Sequence, residues 1–122
     1  MNIEEFRDYC LNKFDVSEEF PFGPDVLVFK VAGKMFALTN VDSYVSVNLK
    51  CKPEWAIELR EEYMSIAPGY HMNKKHWNTI EVHGDVGTPL LHKLIDHSYE
   101  LVVKGLPKTK REAIIAANSA DN

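Results

Sequence analysis

The run Tyr70-His71-Met72-Asn73-Lys74-Lys75-His76-Trp77-Asn78-Thr79 packs ammonium, imidazole, amide and aromatic groups into one short stretch. Lysines meet phosphate oxygens, aromatic rings stack on bases, and an asparagine amide reads a base edge or a phosphate. On that chemistry Lys74, Lys75, His76, Trp77 and Asn78 are the candidate nucleic-acid contacts. A second basic set, Lys104, Lys108, Lys110 and Arg111, is a further phosphate patch if it shares their face. Cations at the end of a helix are also favoured by its dipole alone. The aromatic and amide groups equally suit a protein- or small-ligand surface built from Tyr70, His71, Asn73 and Trp77. The plain alternative to both is a hairpin loop that Tyr70 and Trp77 anchor to the core.

Other reactive residues form no recognisable apparatus. His92 and His97 are five apart, so they point about 140° apart on a helix, and HExxH is absent. His71 and His76 frame a turn that would still need a third ligand for zinc, and His83 stands apart. No metal site and no cofactor are expected. Neither GxSxG nor a glycine-rich phosphate loop occurs, so no catalytic residue can be named and a non-enzyme is expected. Cys51 precedes Pro53, a setting that can lower a thiol pKa, but it and Cys10 share no ligand spacing and read as reduced, structural thiols. Glu4, Glu5 and Asp8, with Asp15, Glu18 and Glu19 beyond, make either a solvated acidic face or a weak hard-cation surface.

Net charge of the 122 residues is −4, which disfavours a protein wrapped in nucleic acid. The average conceals a gradient: residues 1–25 sum to −5 and residues 70–111 to +3, so one basic face is compatible with an acidic total. With 45% hydrophobic and 26% charged residues the chain is globular, and two cores would leave each near 60 residues, where burial is marginal. No apolar run approaches the roughly 18 residues that cross a bilayer, and the acidic start is unlike a signal peptide. A cytoplasmic monomer is expected.

The positioning elements follow from periodicity. Asn2 and Glu5 are spaced as a capping box, and Ile3, Phe6, Cys10 and Phe14 mark a helix over about 2–13. Residues 17–25, with Pro21, Gly23 and Pro24, read as a loop. Strands are expected at 26–31 and 34–40 around an Ala32-Gly33 turn, and at 44–50, with Val45, Val47 and Leu49 facing the core. Helices follow at 53–64, begun by Pro53, and at 88–104, capped by Thr88 and stopped by Gly105 and Pro107; a strand at 77–82 lies between them. Ala113 to Ala117 make a last short helix, so the domain is residues 1–117 with a frayed 118–122 tail. Hairpin-joined strands exclude a doubly wound parallel sheet. The fold class is α+β: an antiparallel meander of four to five strands, packed by helices on one face.

Pro68-Gly69-Tyr70-His71-Met72-Asn73-Lys74-Lys75-His76-Trp77-Asn78-Thr79 resembles the signature of the MmcQ/YjbR family. Phe20-Pro21-Phe22-Gly23 resembles that family's loop before its first strand. Leu94-Ile95-Asp96-His97-Ser98-Tyr99-Glu100-Leu101-Val102 and Leu106-Pro107-Lys108 resemble its C-terminal helix and stop. The likeness covers roughly residues 2–112. It implies a frataxin/CyaY-like α+β sandwich and DNA binding through a double-wing arrangement of β-hairpins. DNA, held weakly and with strong salt dependence, is the expected partner.

Since no histidine and cysteine set has structural-zinc spacing, thermal melts with and without a strong chelator are expected to superimpose. A large drop in Tm on chelation would reveal a folding metal.

Overall fold

Asn2 Oδ1 accepts from the Glu5 amide at 2.8 Å while Glu5 Oε1 accepts from the Asn2 amide at 3.0 Å. This complete capping box starts α1 (Ile3–Leu11). The computed structural model describes residues 1–69 and 72–120. After α1 come β1 (Val16–Glu19), β2 (Val26–Val31), β3 (Lys34–Asn40), β4 (Ser46–Lys50), α2 (Pro53–Glu62), β5 (Ile66–Pro68), β6 (Trp77–Glu81), α3 (Thr88–Lys104) and α4 (Lys108–Ala120). The strands form one antiparallel sheet in the order β1-β2-β3-β4-β6-β5. The β2–β3 hairpin turns on Ala32 and Gly33, whose φ angles of 49° and 82° are the double left-handed geometry of a two-residue turn that follows strand twist.

Two strands were not expected. β1 overlaps the span read as a loop: Val16-Ser17-Glu18-Glu19 has a single apolar residue, and its pairing with β2 is supported by charge. Arg7 on α1 donates to both carboxylate oxygens of Glu18, at 2.7 and 2.6 Å, and Lys30 meets Glu19 at 3.1 Å. β5 is a three-residue edge ending at Pro68, too short for a period to show. Val45 is 60% exposed rather than core-facing. Tyr44, with φ at 41°, turns the chain before β4 and takes the buried place itself, leaving Val47 and Leu49 as the inward residues. Gly87, not Thr88, is the cap of α3. α4 runs through the 118–120 segment expected to fray, and Asn118 Nδ2 donates to the Tyr99 hydroxyl at 3.2 Å.

α1 and α3 cover one face of the sheet. Phe6, Phe29, Phe36, Val47, Leu49 and Ile95 form its sealed centre. A bulge follows the Phe29–Ala37 pair, so Phe36 and Ala37 both point inward. Ser98 on α3 donates to the Phe36 carbonyl and accepts from the Lys50 amide at 2.9 Å. The opposite face carries no helix; there Val28, Leu38 and Trp77 form a small second cluster. No helix among the described residues is long and apolar enough to cross a membrane.

Asp85 ties the end of α2 to the loop before α3. Its carboxylate accepts from the Ser65 amide at 2.9 Å and the Met64 amide at 3.0 Å, while Ser65 Oγ accepts from the Asp85 amide at 2.7 Å. Hydrogen bonds from Ser65 hold this carboxyl below its ordinary range. The folded state therefore binds the proton less tightly than the unfolded one. The stability so gained is present above the unfolded aspartate pKa of about 4 and is lost as pH falls through the folded value. Asp85→Asn is expected to lower stability at neutral pH and to converge on the wild type in acid. Parallel pH–stability curves in urea melts would contradict this.

Candidate functional site

The loop between β5 and β6 is held from below by a guanidinium. Arg60, on α2, donates through Nε to Asn78 Oδ1 at 2.7 Å and through Nη2 to the carbonyls of Lys74 and, at 3.3 Å, Trp77. Asn73 closes the turn above: its carbonyl accepts from the His76 and Trp77 amides, and its Oδ1 accepts from the Lys75 amide at 3.0 Å. The Cys51 amide donates to the His76 carbonyl at 2.8 Å, and the Gly69 amide to the Trp77 carbonyl at 2.7 Å. A Cβ on Gly69 would lie 2.7 Å from Trp77 Cβ, so glycine there is a condition of the tryptophan's packing.

This frame sorts the candidate contacts. Lys74, Lys75 and Asn73 are exposed and His76 is half-buried. Trp77 is 8% exposed and Asn78 2%: the indole goes mainly to packing, and the Asn78 carbonyl oxygen to Arg60, which leaves the amide enclosed rather than presented to a ligand. Asn78 Nδ2 is buried without a partner among the described residues. Tyr70 and His71 lie outside the described residues.

Trp77 keeps one open edge, on a groove of about 580 Å³ at the end of the sheet that carries the β2–β3 turn. Leu101, Val102, Gly105 and Leu106, from the end of α3, form the far wall. Lys30, Lys34 and Lys50 also line it, and no carboxylate does. Register explains their meeting: Lys50 pairs with Trp77, Lys30 with Met35, and Lys34 with Val31. Sequence reasoning missed these lysines as site residues. Their signal was present, because strand alternation already turned Lys50 to water, but strand pairing was needed to gather them. The second basic set is not in this groove. Lys104 lines a separate cavity of about 650 Å³ beside Lys13 and Asp96, Lys108 and Lys110 are exposed on α4, and Arg111 reaches the Leu106 carbonyl at 3.5 Å.

Most of the remaining reactive groups are buried or engaged within the fold. His97 Nε2 accepts from the Lys52 amide at 3.1 Å, and burial lowers its pKa. His92 stacks on Tyr9 with ring centroids 4.1 Å apart. Burial pushes the Cys51 thiol up to about 11, the reverse of activation at a helix start, and pushes Cys10 up as well. Among the described residues no three His, Cys, Asp or Glu side chains are grouped to hold a metal ion. On the acidic side Glu18 and Glu19 are committed to Arg7 and Lys30.

A family model described as YjbR matches residues 11–101. The Escherichia coli O157:H7 protein YbdF is 41% identical over 96 residues, covering 78% of this chain and 79% of its own length. YjbR of Escherichia coli K12 is 31% identical over 116 residues, covering 94% of this chain and 98% of its own. A crystal structure of a Deinococcus radiodurans protein with a DUF419 domain superposes with a TM-score of 0.86 at 40% identity, over 93% of this chain and 87% of that one. The chain belongs to the YjbR family.

Removing the guanidinium leaves Asn78 Oδ1 buried without its donor and loosens two carbonyls. Arg60→Ala is expected to cost about 3 kcal/mol in urea denaturation, the scale of charge-assisted hydrogen bonds to buried groups. Lys74→Ala, which gives up only an exposed side chain, should stay within about 0.5 kcal/mol. Equal costs for the two would refute the clamp.

Proposed function

We propose that this YjbR-family protein binds DNA through the phosphate backbone, using Lys74 and Lys75 on the loop that Arg60 clamps. The observation that carries the reading is this exposed lysine pair on an ordered support, beside a groove with three more lysines and no lining carboxylate. A turn whose backbone at residues 73–77 is already held by hydrogen bonds loses little further freedom when it meets a ligand, so two ionic contacts there are worth more than on a floppy chain. Two hairpins serve as the wings: β2–β3, with Lys34 beside its turn, and β5–β6, carrying Lys74 and Lys75. Lys104, Lys108, Lys110 and Arg111 are an outlying patch, within reach of a long ligand only.

The protein works as a monomeric binding module, without a catalytic step. Both thiols are buried with raised pKa values, which takes the ordinary nucleophile out of play. Recognition is of charge rather than base sequence, since Asn78 is enclosed. Affinity belongs in the non-specific range, about 10⁻⁴ to 10⁻⁶ M at physiological salt.

The test is duplex and single-stranded DNA binding measured against salt concentration. Changing Lys74 and Lys75 together to alanine should make the slope of log affinity against log salt shallower by up to about 1.8, since each duplex phosphate contact contributes about 0.9. No binding of wild-type protein to either form at low salt would overturn the reading.

A further inference from the structure

We infer that the helix-free face of the sheet holds a second binding site, for a small organic anion with a flat, largely apolar body. The groove beside Trp77 continues into a second cavity of about 440 Å³, with Phe22 and Met35 lining both. The inner cavity has an apolar wall of Val26, Leu38 and Met72, faced by Ser46 and Asn48. Asn48 Oδ1 accepts from the Thr79 hydroxyl at 2.6 Å, which leaves its NH₂ group as a donor for a ligand. A space of a few hundred Å³, mainly apolar with a few placed polar groups, is what small-molecule sites provide.

Charge selects the ligand class. Lys30, Lys34 and Lys50 stand at the outer cavity, and neither cavity has a lining carboxylate. Lys30 is engaged by Glu19 at 3.1 Å, whereas Lys34 and Lys50 have no ion pair with a described residue. Two ammonium groups free of ion pairs attract an anion and repel a cation. An anion whose apolar body enters between Phe22, Met35 and Leu38 places its charged group among the lysines. Phe22, 63% exposed at the mouth, covers such a body and gains burial by doing so. This site shares Lys34 and the groove with the DNA reading but not Lys74 or Lys75, and it does not depend on DNA being a ligand.

The probe is 8-anilinonaphthalene-1-sulfonate, an aromatic anion that brightens in apolar surroundings. N-phenyl-1-naphthylamine, the same ring pair without the sulfonate, is the neutral control. One equivalent of the sulfonate should bind saturably. Lys34→Gln with Lys50→Gln should weaken it by about tenfold, as expected for losing charge-assisted contacts, and leave the neutral control unchanged. Val26→Trp, a strand-compatible change that fills the inner cavity, should abolish binding of both. If a variant fails to melt cooperatively, amide shifts of the wild-type protein on titration decide instead, and they should move at Met35, Asn48 and Lys50. Absence of saturable binding, binding indifferent to both variants, or shifts confined to other surfaces would overturn the site.

Discussion

Ser98 has no exposed surface and sits where α3 crosses the sheet, donating to the Phe36 carbonyl and accepting from the Lys50 amide. The bulge in β3 is what makes this hydroxyl necessary. An extra residue in a strand leaves its ladder groups without a cross-strand partner, and a buried polar group left unpaired costs about 1–3 kcal/mol. One side chain satisfies the bulged carbonyl and the last amide of β4 together. It thereby sets where α3 lies, and with α3 the whole apolar seal of Phe29, Phe36, Leu49 and Ile95. It also decides where the helix ends: Leu101, Val102, Gly105 and Leu106 arrive beside Trp77 and Lys50 as one wall of the groove.

Because the helices seal one face only, the other must be made of residues that tolerate water. Lys30, Asn48, Lys50 and Thr79 take those strand positions, with the short Val28–Leu38–Trp77 cluster among them. The functional surface is therefore a consequence of one-sided packing rather than an addition to it. Arg60 applies the same economy at the sheet edge. Its planar fork serves Asn78 Oδ1 and two loop carbonyls at once, geometry that a lysine ammonium on its flexible stem would not reproduce. Trp77 adds the apolar anchor and Gly69 the room for it. Each of these residues is buried or half-buried so that Lys74 and Lys75 can be exposed in a fixed place.

What was legible in the sequence and what was not divides along this line between local and assembled features. The Asn2–Glu5 box, the Ala32-Gly33 turn and the Pro53 helix start are local chemistry, and each appears as read. β1 was illegible because its support comes from Arg7 and Lys30, remote in sequence from Glu18 and Glu19. Val45 was misread because the alternation was sound but the strand was begun two residues too early, at a left-handed Tyr44 that no periodicity announces. At the site, the exposed lysines of the loop were visible from composition. The enclosure of Asn78 was not, since polar residues in a basic stretch look like ligand contacts until their partner, Arg60, is placed. Lys30, Lys34 and Lys50 belong to two hairpin strands and a third strand, and only register shows that they converge.

Net charge is the property least suited to describing this surface. The −4 total and the acidic first 25 residues both argue against an anionic partner, yet no carboxylate lines the groove. Glu18 is held by Arg7, Glu19 by Lys30 and Asp96 by Lys13, so three carboxylates are already matched by cations within the chain. Exposed charges are screened over about 8 Å at physiological ionic strength, so an approaching anion responds to the groove's own lining far more than to the chain's sum. That lining is three ammonium groups, one of them paired, around an aromatic edge. On the proposed reading the acidic remainder would repel a polyanion that strays from this face and so favour one orientation of approach. A basic protein of the same fold would bind more tightly and less selectively. The acidic total is thus compatible with the proposed anion-binding face.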